Sequence, residues 1–125
     1  MNSQPGKLLR FYVSERDQYQ GKPLYEAIVA RCQELKLAGV TVFRGLEGFG
    51  HTSEIHHHHL FGHDQPVVIT VVETPEKATE ALPTLQEMMG SGVIAVTDVE
   101  VMLVSNGAVL RFDESSFKGE ARGIQ

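Results

Sequence analysis

The sequence has little cysteine and no long apolar run. Cys32 is the only cysteine among 125 residues, so an intrachain disulfide is excluded. No stretch approaches the ~18 consecutive apolar residues that indicate a membrane-spanning helix. The first residues, MNSQPGKLLRFYV, lack the basic start, the apolar stretch and the cleavage site of a secretory signal peptide. These absences predict a cytoplasmic protein that does not itself span a membrane.

Basic blocks and catalytic motifs are also missing. The net charge is −5, from 16 acidic and 11 basic residues, and the basic residues form no cluster, which excludes nucleic acid as a predicted partner. The chain contains no Gly-x-Ser-x-Gly elbow, no phosphate loop ending in Gly-Lys-Ser/Thr and no His-Glu-x-x-His. We therefore predict that the protein is not an enzyme. Its apolar fraction of 42% is enough for one domain with a buried core.

Four segments have the alternating or β-branched composition of strands. They are KLLRFYV (7–13), VTVFRG (40–45), PVVITVVE (66–73) and VIAVTDVEVMLV (93–104). Between the first two, apolar residues at helical spacing predict a helix that begins near Pro23 and stops at Gly39. Its apolar stripe is Leu24, Ile28, Cys32 and Leu35.

A second helix is predicted between the last two strands. Thr74 is its expected N-cap, Pro75 its first residue, and Pro83 is expected to kink it. The last strand is predicted to be interrupted by a bulge at residues 97–98. From Ser105 the sequence turns polar, so we predict one domain over residues 1–104 and a C-terminal extension over residues 105–125.

The order β-α-β-β-α-β predicts an α+β fold, the ferredoxin-like sandwich. In this fold both helices cover one face of an antiparallel sheet, and the other face is bare. Here the bare face would still be apolar, and an exposed apolar sheet face usually marks an interface, so we predict a homo-oligomer. The residues expected on it are Leu8, Tyr12, Phe43, Val68 and Val72.

A long hairpin between strands two and three carries every histidine of the chain. Roughly twenty residues (45–65) separate the two strands, whereas hairpin loops usually have ~2–5. All six histidines lie in HTSEIHHHHLFGH (51–63). In an extended chain His56 and His58 would point one way, and His57 and His59 the other. Each pair could share one zinc, nickel or copper ion.

Three interpretations of the histidines stay open. An engineered tag is not favoured, because tags are usually terminal and this run is internal. The others are a solvated loop flank that binds metal only weakly and a specific metal site. Two imidazoles leave a tetrahedral site half filled, so further ligands would have to come from His51, His63, Glu54, Asp64 or a neighbouring subunit.

The segments KLLRFYV, GKPLYEAIV, RGLEGFG, PVVITVVE and VIAVTDVEV, over residues 7 to about 104, resemble the uncharacterised (domain of unknown function) branch of PII-like proteins in the PII and CutA superfamily. The resemblance implies a homotrimer with a ferredoxin-like fold. It also implies that the long hairpin is a T-loop, which contacts a regulated protein such as a transporter in response to a ligand in the cleft between subunits.

The resemblance also implies which residues shape that cleft. Gly48, Phe49 and Gly50 match the glycine-rich turn before the T-loop, and Gly90 and Gly92 match the turn after the second helix, where backbone N–H groups could form an anion nest. PII proteins carry a phosphate-binding lysine and two late arginines at the positions of Val93, Val104 and Asn106.

Three cationic contacts of PII proteins are thus replaced by neutral residues, so tight binding of ATP is not expected. A nucleotide of lower charge or a small anion is the expected ligand. Arg10 and Arg44 either face this cleft or lie on the surface. The alternative function is CutA-like binding of a divalent transition metal by the histidines of residues 51–63.

Overall fold

The computed structural model describes residues 2–47 and 65–112, and it has an α+β fold in that part of the chain. The elements are β1 Gln4–Ser14, β2 Gln18–Tyr19, β3 Lys22–Pro23, α1 Leu24–Glu34, β4 Gly39–Arg44, β5 Pro66–Glu73, α2 Pro75–Met88, β6 Val93–Val101, β7 Leu103–Ser105 and β8 Ala108–Leu110. Strands β1, β4, β5 and β6 form one antiparallel sheet in the order β4-β5-β1-β6. The predicted ferredoxin-like order is confirmed.

Alternation along the strands separates a helix-covered face from a bare face. On β1, Leu9 and Phe11 are fully buried, whereas Tyr12 is 42% exposed. Each inward residue lies opposite another on β5, as Phe11 does opposite Ile69. Both helices pack their apolar stripes onto this face, and burial of these side chains is the main stabilising contribution. The helix residues of this core are Leu24, Ile28, Cys32, Ala78, Ala81, Leu85 and Met88.

The bare face has the apolar composition that the sequence predicts. Four paired residues lie side by side across the four strands. In strand order they are Phe43 of β4, Val68 of β5, Tyr12 of β1 and Val93 of β6. These four side chains therefore form one row across the sheet. Phe43 is 55% exposed and Val93 is 45% exposed, so the row is open to solvent in a single chain.

Helix α1 ends at Glu34, and the residue that reverses the chain after it is Lys36 rather than the predicted Gly39. Lys36 has a φ of 59°. Its N–H donates to the Gln33 carbonyl at 3.0 Å, and the Leu37 N–H donates to the Cys32 carbonyl at 3.0 Å. These two bonds form a Schellman motif, in which a left-handed residue reverses the chain. Gly39, the predicted stop, instead begins β4.

Helix α2 begins as predicted. The Thr74 hydroxyl accepts a hydrogen bond from the Lys77 N–H at 3.3 Å, and Pro75 is the first helical residue. The helix continues through Pro83, which is exposed, as far as Met88. Just before the cap, the buried Glu73 carboxylate accepts hydrogen bonds from the N–H groups of Ala38 and Thr74, both at 2.7 Å. Glu73 thus joins the end of β5 to the turn after α1.

The last predicted strand is broken at Met102, and the predicted bulge is wrong. Pairing of β6 with β1 keeps one register from Val93 to Val101, so residues 97–98 carry no insertion. Beyond Met102, β7 and β8 form a hairpin whose turn residues Asn106 and Gly107 have φ angles of 51° and 81°. Two positive φ angles are typical of a type I′ turn, and Asn-Gly is its preferred sequence.

This hairpin lies across the predicted limit between domain and extension. Phe112, just after β8, is only 5% exposed, and its ring lies beside Gly6 of β1. Residues 113–125 of the predicted extension lie outside the described residues. Within the described ranges, no helix is long and apolar enough to cross a membrane.

Candidate functional site

Three strands end together where the long hairpin leaves the sheet. The Gly45 N–H donates to the Pro66 carbonyl at 2.7 Å, and the Glu15 N–H donates to the Gln65 carbonyl at 2.8 Å. We call Glu15, Arg44, Gly45, Gln65 and Pro66 the hairpin root. These bonds extend the sheet beyond its regular strands, so Gly45 and Gln65, which flank the long hairpin, are hydrogen-bonded to neighbouring strands.

Arg44 ties the hairpin root to helix α1. Its guanidinium forms an ion pair with the Glu15 carboxylate. The same group donates to the Tyr25 hydroxyl at 3.4 Å and lies 5.7 Å from the centre of the Tyr25 ring, within range of a cation–π contact. The hydrogen bond with Glu15 raises the pKa of Arg44. The Arg44 guanidinium therefore stays protonated at the base of the loop, with its charge balanced by the Glu15 carboxylate.

The two arginines that the sequence could not place lie on opposite faces of the sheet. Arg44 lies opposite Val67, whose side chain is in the helix-covered core. Arg10 is on the bare face, where its guanidinium donates to the Thr97 hydroxyl at 3.5 Å. A single chain therefore does not direct both cations at one ligand.

Gly92 is required by the fold itself. It has a φ of 149°, a conformation that side chains disfavour. A Cβ atom there would lie 2.6 Å from the Met89 Cε atom and 2.9 Å from the Tyr12 carbonyl oxygen. Gly90, by contrast, has open space around it. The turn thus approaches β1 closely at Gly92 and is accessible at Gly90.

The Gly90–Gly92 turn and the end of β4 belong to opposite edge strands of the sheet. The turn precedes β6 at one edge, and Arg44 ends β4 at the other edge, with β5 and β1 between them. Three strand spacings correspond to about 14 Å. Val93 is the first residue of β6, and Val104 comes after the last residue of that strand, Val101. The eight steps from Val93 to Val101 span about 26 Å, so Val93 and Val104 lie at opposite ends of the sheet.

Several predicted site residues lie outside the part of the chain that the structure describes. Gly48, Phe49 and Gly50 do so, as do the proposed metal ligands His56, His57, His58 and His59. Among residues 2–47 and 65–112, no three His, Cys, Asp or Glu side chains are grouped so as to hold a metal ion. The metal prediction therefore stays a prediction.

Cys32 lies in the core, as its position on the α1 stripe predicted. Its side chain is fully buried, and burial raises the pKa of the thiol to about 11. The thiolate is the reactive form of cysteine, and at neutral pH its population is very small. Cys32 is therefore a packing residue rather than a nucleophile.

Glu15 and Tyr25 were missed at the level of sequence, although alternation offered a signal for Glu15. Leu9, Phe11 and Val13 point into the core, and Glu15 continues their period of two. Arg44 continues the period of Val40 and Val42 on β4 in the same way. Because the ends of β1 and β4 meet at one end of the sheet, the two charges could have been placed on the same face.

The chain matches a protein family over most of its length. The DUF190 family (Uncharacterized ACR, COG1993) matches residues 6–101. A UPF0166 protein of Aquifex aeolicus is 40% identical over 100 residues, which cover 77% of this chain and 92% of that protein.

Solved structures with the same fold include PII-like proteins and a CutA protein. CPII, a nitrogen regulatory PII-like protein from Thiomonas intermedia K12 bound to ADP, AMP and bicarbonate, has a TM-score of 0.61 at 19% identity, covering 81% of this chain and 99% of that one. The divalent ion tolerance protein CutA1 from Ehrlichia chaffeensis has a TM-score of 0.52 at 14% identity, covering 85% and 89%. The chain belongs to the DUF190 family, and it shares its fold with PII-like and CutA proteins.

Proposed function

We propose that the protein is a PII-like ligand sensor that works in the cytoplasm as a homotrimer. A small ligand, a nucleotide or an anion, binds in the cleft between subunits, and the long hairpin reports its presence to a protein partner. The observation that carries the proposal is the apolar bare face of the sheet, in a chain that shares the fold of a PII-like protein bound to ADP, AMP and bicarbonate. A neighbouring copy would cover that face and supply the second wall of the cleft.

The assembly is supported by the chemistry of the bare face. Tyr12, Phe43 and Val93 are all more than 40% exposed and lie in one row with Val68. Contiguous apolar surface of this kind is unfavourable in water, and its burial between copies stabilises an oligomer. A ring of three copies would close this contact without leaving an exposed apolar end.

The ligand is expected to carry less charge than ATP. Val93 begins β6, Val104 is in β7 and Asn106 is in the type I′ turn, so none of these positions supplies a cation. The Thiomonas protein with this fold is bound to ADP, AMP and bicarbonate, which supports ligands of that class. Gly90 and Gly92 would provide backbone N–H groups to a phosphate or a carboxylate.

The hairpin root provides a route from the cleft to the partner. Arg44 holds the end of β4 against Glu15 of the β1 end and Tyr25 of α1. An anion near the loop base would compete with Glu15 for the guanidinium, because both offer oxygen acceptors to the same donors. The loop that follows, with Gly48, Phe49 and Gly50 at its start, would then change its position and its contacts with a partner such as a transporter.

Calorimetric titration with AMP, ADP and ATP, with and without magnesium, tests this proposal. We expect AMP or ADP to bind more tightly than ATP. We also expect Arg44→Gln to weaken binding of the preferred nucleotide by about tenfold, the effect of one charged hydrogen bond. Arg31→Gln is the matched control, because Arg31 pairs with Glu34 on the surface of α1. Sub-micromolar, magnesium-dependent binding of ATP would contradict the ligand class.

Metal binding by the histidines of residues 51–63 is the second candidate function. Six imidazoles within thirteen residues favour it, because neutral imidazole is a common ligand of zinc, nickel and copper. A zinc titration of the wild type against a variant with His56 to His59 changed to alanine separates the two functions. If the wild type binds zinc at nanomolar strength and the variant does not, metal binding becomes the leading function. Weak binding, lost below about pH 6, is the result expected for a ligand sensor.

A further inference from the structure

A polar band crosses the apolar bare face of the sheet. Thr41 of β4 lies opposite Thr70 of β5, and Thr70 lies opposite Arg10 of β1. Thr97 of β6 is the diagonal neighbour of Arg10 and accepts its hydrogen bond at 3.5 Å. We call Arg10, Thr41, Thr70 and Thr97 the threonine–arginine band.

Apolar residues border this band on both sides. On the side of the hairpin root is the row of Phe43, Val68, Tyr12 and Val93. On the other side Val72 lies opposite Leu8. The band therefore lies in the middle of the surface that the proposed assembly would bury, and not at its solvated margin.

Among the described strand residues, Arg10 has no acidic counterpart on its own sheet face. The carboxylates of β6 alternate onto the opposite face, where Asp98 pairs with Lys7. The one contact of the Arg10 guanidinium to a side chain there is the long bond to the neutral Thr97 hydroxyl. In the described part of the sheet, Arg10 is thus the one positive charge on the bare face, and no carboxylate of these strands neutralises it.

Burial of this charge requires an anion. A guanidinium removed from water without a partner is strongly destabilising, and its planar donors fit an oxyanion in two places at once. The Thr70 hydroxyl donates a long hydrogen bond to the Thr41 carbonyl at 3.5 Å, and a threonine hydroxyl can rotate to donate to a bound anion instead. We propose that the threonine–arginine band binds a small oxyanion of the phosphate, sulfate or bicarbonate class between copies of the chain, at a site separate from the cleft of Gly90 and Gly92.

This inference rests on the proposed trimer, and it gives that trimer a second anion site, which stabilises the assembly.

Calorimetric titration of the full chain with phosphate, sulfate and bicarbonate tests the inference and identifies which oxyanion binds. The wild type is expected to bind one of them saturably. Arg10→Leu should abolish that binding, and Arg10→Lys should weaken it by about tenfold, because an ammonium group cannot form the two-point contact. Thr70→Val, which removes one hydroxyl at nearly constant volume, should weaken it as well.

Arg31→Gln on α1 is the control for loss of an arginine far from this face, and it should bind the oxyanion as the wild type does. Light scattering on each sample separates the two claims. A monomeric wild type would overturn the proposed assembly. A trimeric wild type whose oxyanion binding is equal in Arg10→Leu, Arg10→Lys and Thr70→Val would overturn the anion site alone, as would a trimer that binds none of the three oxyanions.

Discussion

The alternation of side chains along the strands places Arg44 and Arg10 on opposite faces of the sheet, and this decides which groups each guanidinium can contact. Arg44 shares its face with Val42 and meets Glu15 at the end of β1. Arg10 shares its face with Tyr12, and within the described residues its guanidinium donates to the Thr97 hydroxyl. Both are arginines in apolar strands, and their different partners follow from a period of two along the chain. The first is paired with a carboxylate, and the second is the basis of the proposed oxyanion site.

At the same scale, Gly92 and Gly90 form a matched pair for a test of the turn before β6. Gly92→Ala is expected to lower the free energy of unfolding by about 1–3 kcal/mol, because the new Cβ would meet the Tyr12 carbonyl in a backbone conformation that alanine disfavours. Gly90→Ala should change it by no more than about 0.5 kcal/mol, because its Cβ would enter open space.

Urea unfolding followed by circular dichroism measures both effects. A Gly92→Ala protein as stable as the wild type would mean that the turn adjusts without strain. If Gly90→Ala keeps its stability but loses ligand binding, Gly90 contributes to the ligand site, whereas Gly92 contributes to the stability of the fold.

At the scale of elements, the sequence predicts most of the sheet and both helix starts but not how α1 ends. Thr74 is a recognisable N-cap, because its side chain can satisfy an N–H of the first turn. The end of α1 was assigned to Gly39 on the preference of left-handed positions for glycine, whereas Lys36 adopts that conformation. The Schellman bonds to Gln33 and Cys32 offset the strain, and such compensation is not visible in sequence.

The hairpin of β7 and β8 was missed for a different reason. Its Asn106-Gly107 turn is a strong local signal for a hairpin, but the polar residues around it led to its prediction as an extension. The burial of Phe112 depends on a contact with β1, more than a hundred residues earlier in the chain. Long-range contacts of this kind decide burial and cannot be deduced from local composition.

The end of α1 gives the second prediction. Lys36→Gly is expected to raise the free energy of unfolding by about 1 kcal/mol, because glycine adopts a positive φ without the steric cost that a Cβ imposes. Lys36→Ala is the control: it removes the same charge and keeps the Cβ, so it should not be stabilising. Urea unfolding of the three proteins checks this. Equal gains in both variants would indicate that the lysine charge, and not the backbone strain, opposes folding.

At the scale of the whole molecule, the candidate site was predicted only as separate pieces. The sequence places Gly90 and Gly92 in one turn and the histidines in one loop, but distances between such segments depend on the order of strands in the sheet. That order, β4-β5-β1-β6, puts β4 and β6 at opposite edges. The proposed ligand lies between copies, so the proposed site and the proposed assembly depend on the same contact surface.

The last prediction tests that surface directly. Wild-type protein is expected to give a mass of three times the 13.8 kDa chain in light scattering coupled to size exclusion. Phe43→Asp should shift it to the monomer at micromolar concentration, because a carboxylate would replace the aromatic ring at the β4 end of the apolar row, where burial of a charge is unfavourable. Ala30→Asp adds the same charge on the exposed surface of α1 and should remain trimeric. A Phe43→Asp trimer as stable to dilution as the wild type would show that the copies meet through another surface. It would also remove the basis for placing a ligand or an oxyanion between the bare faces, because both proposals require Phe43 and Tyr12 to be covered by a neighbouring chain.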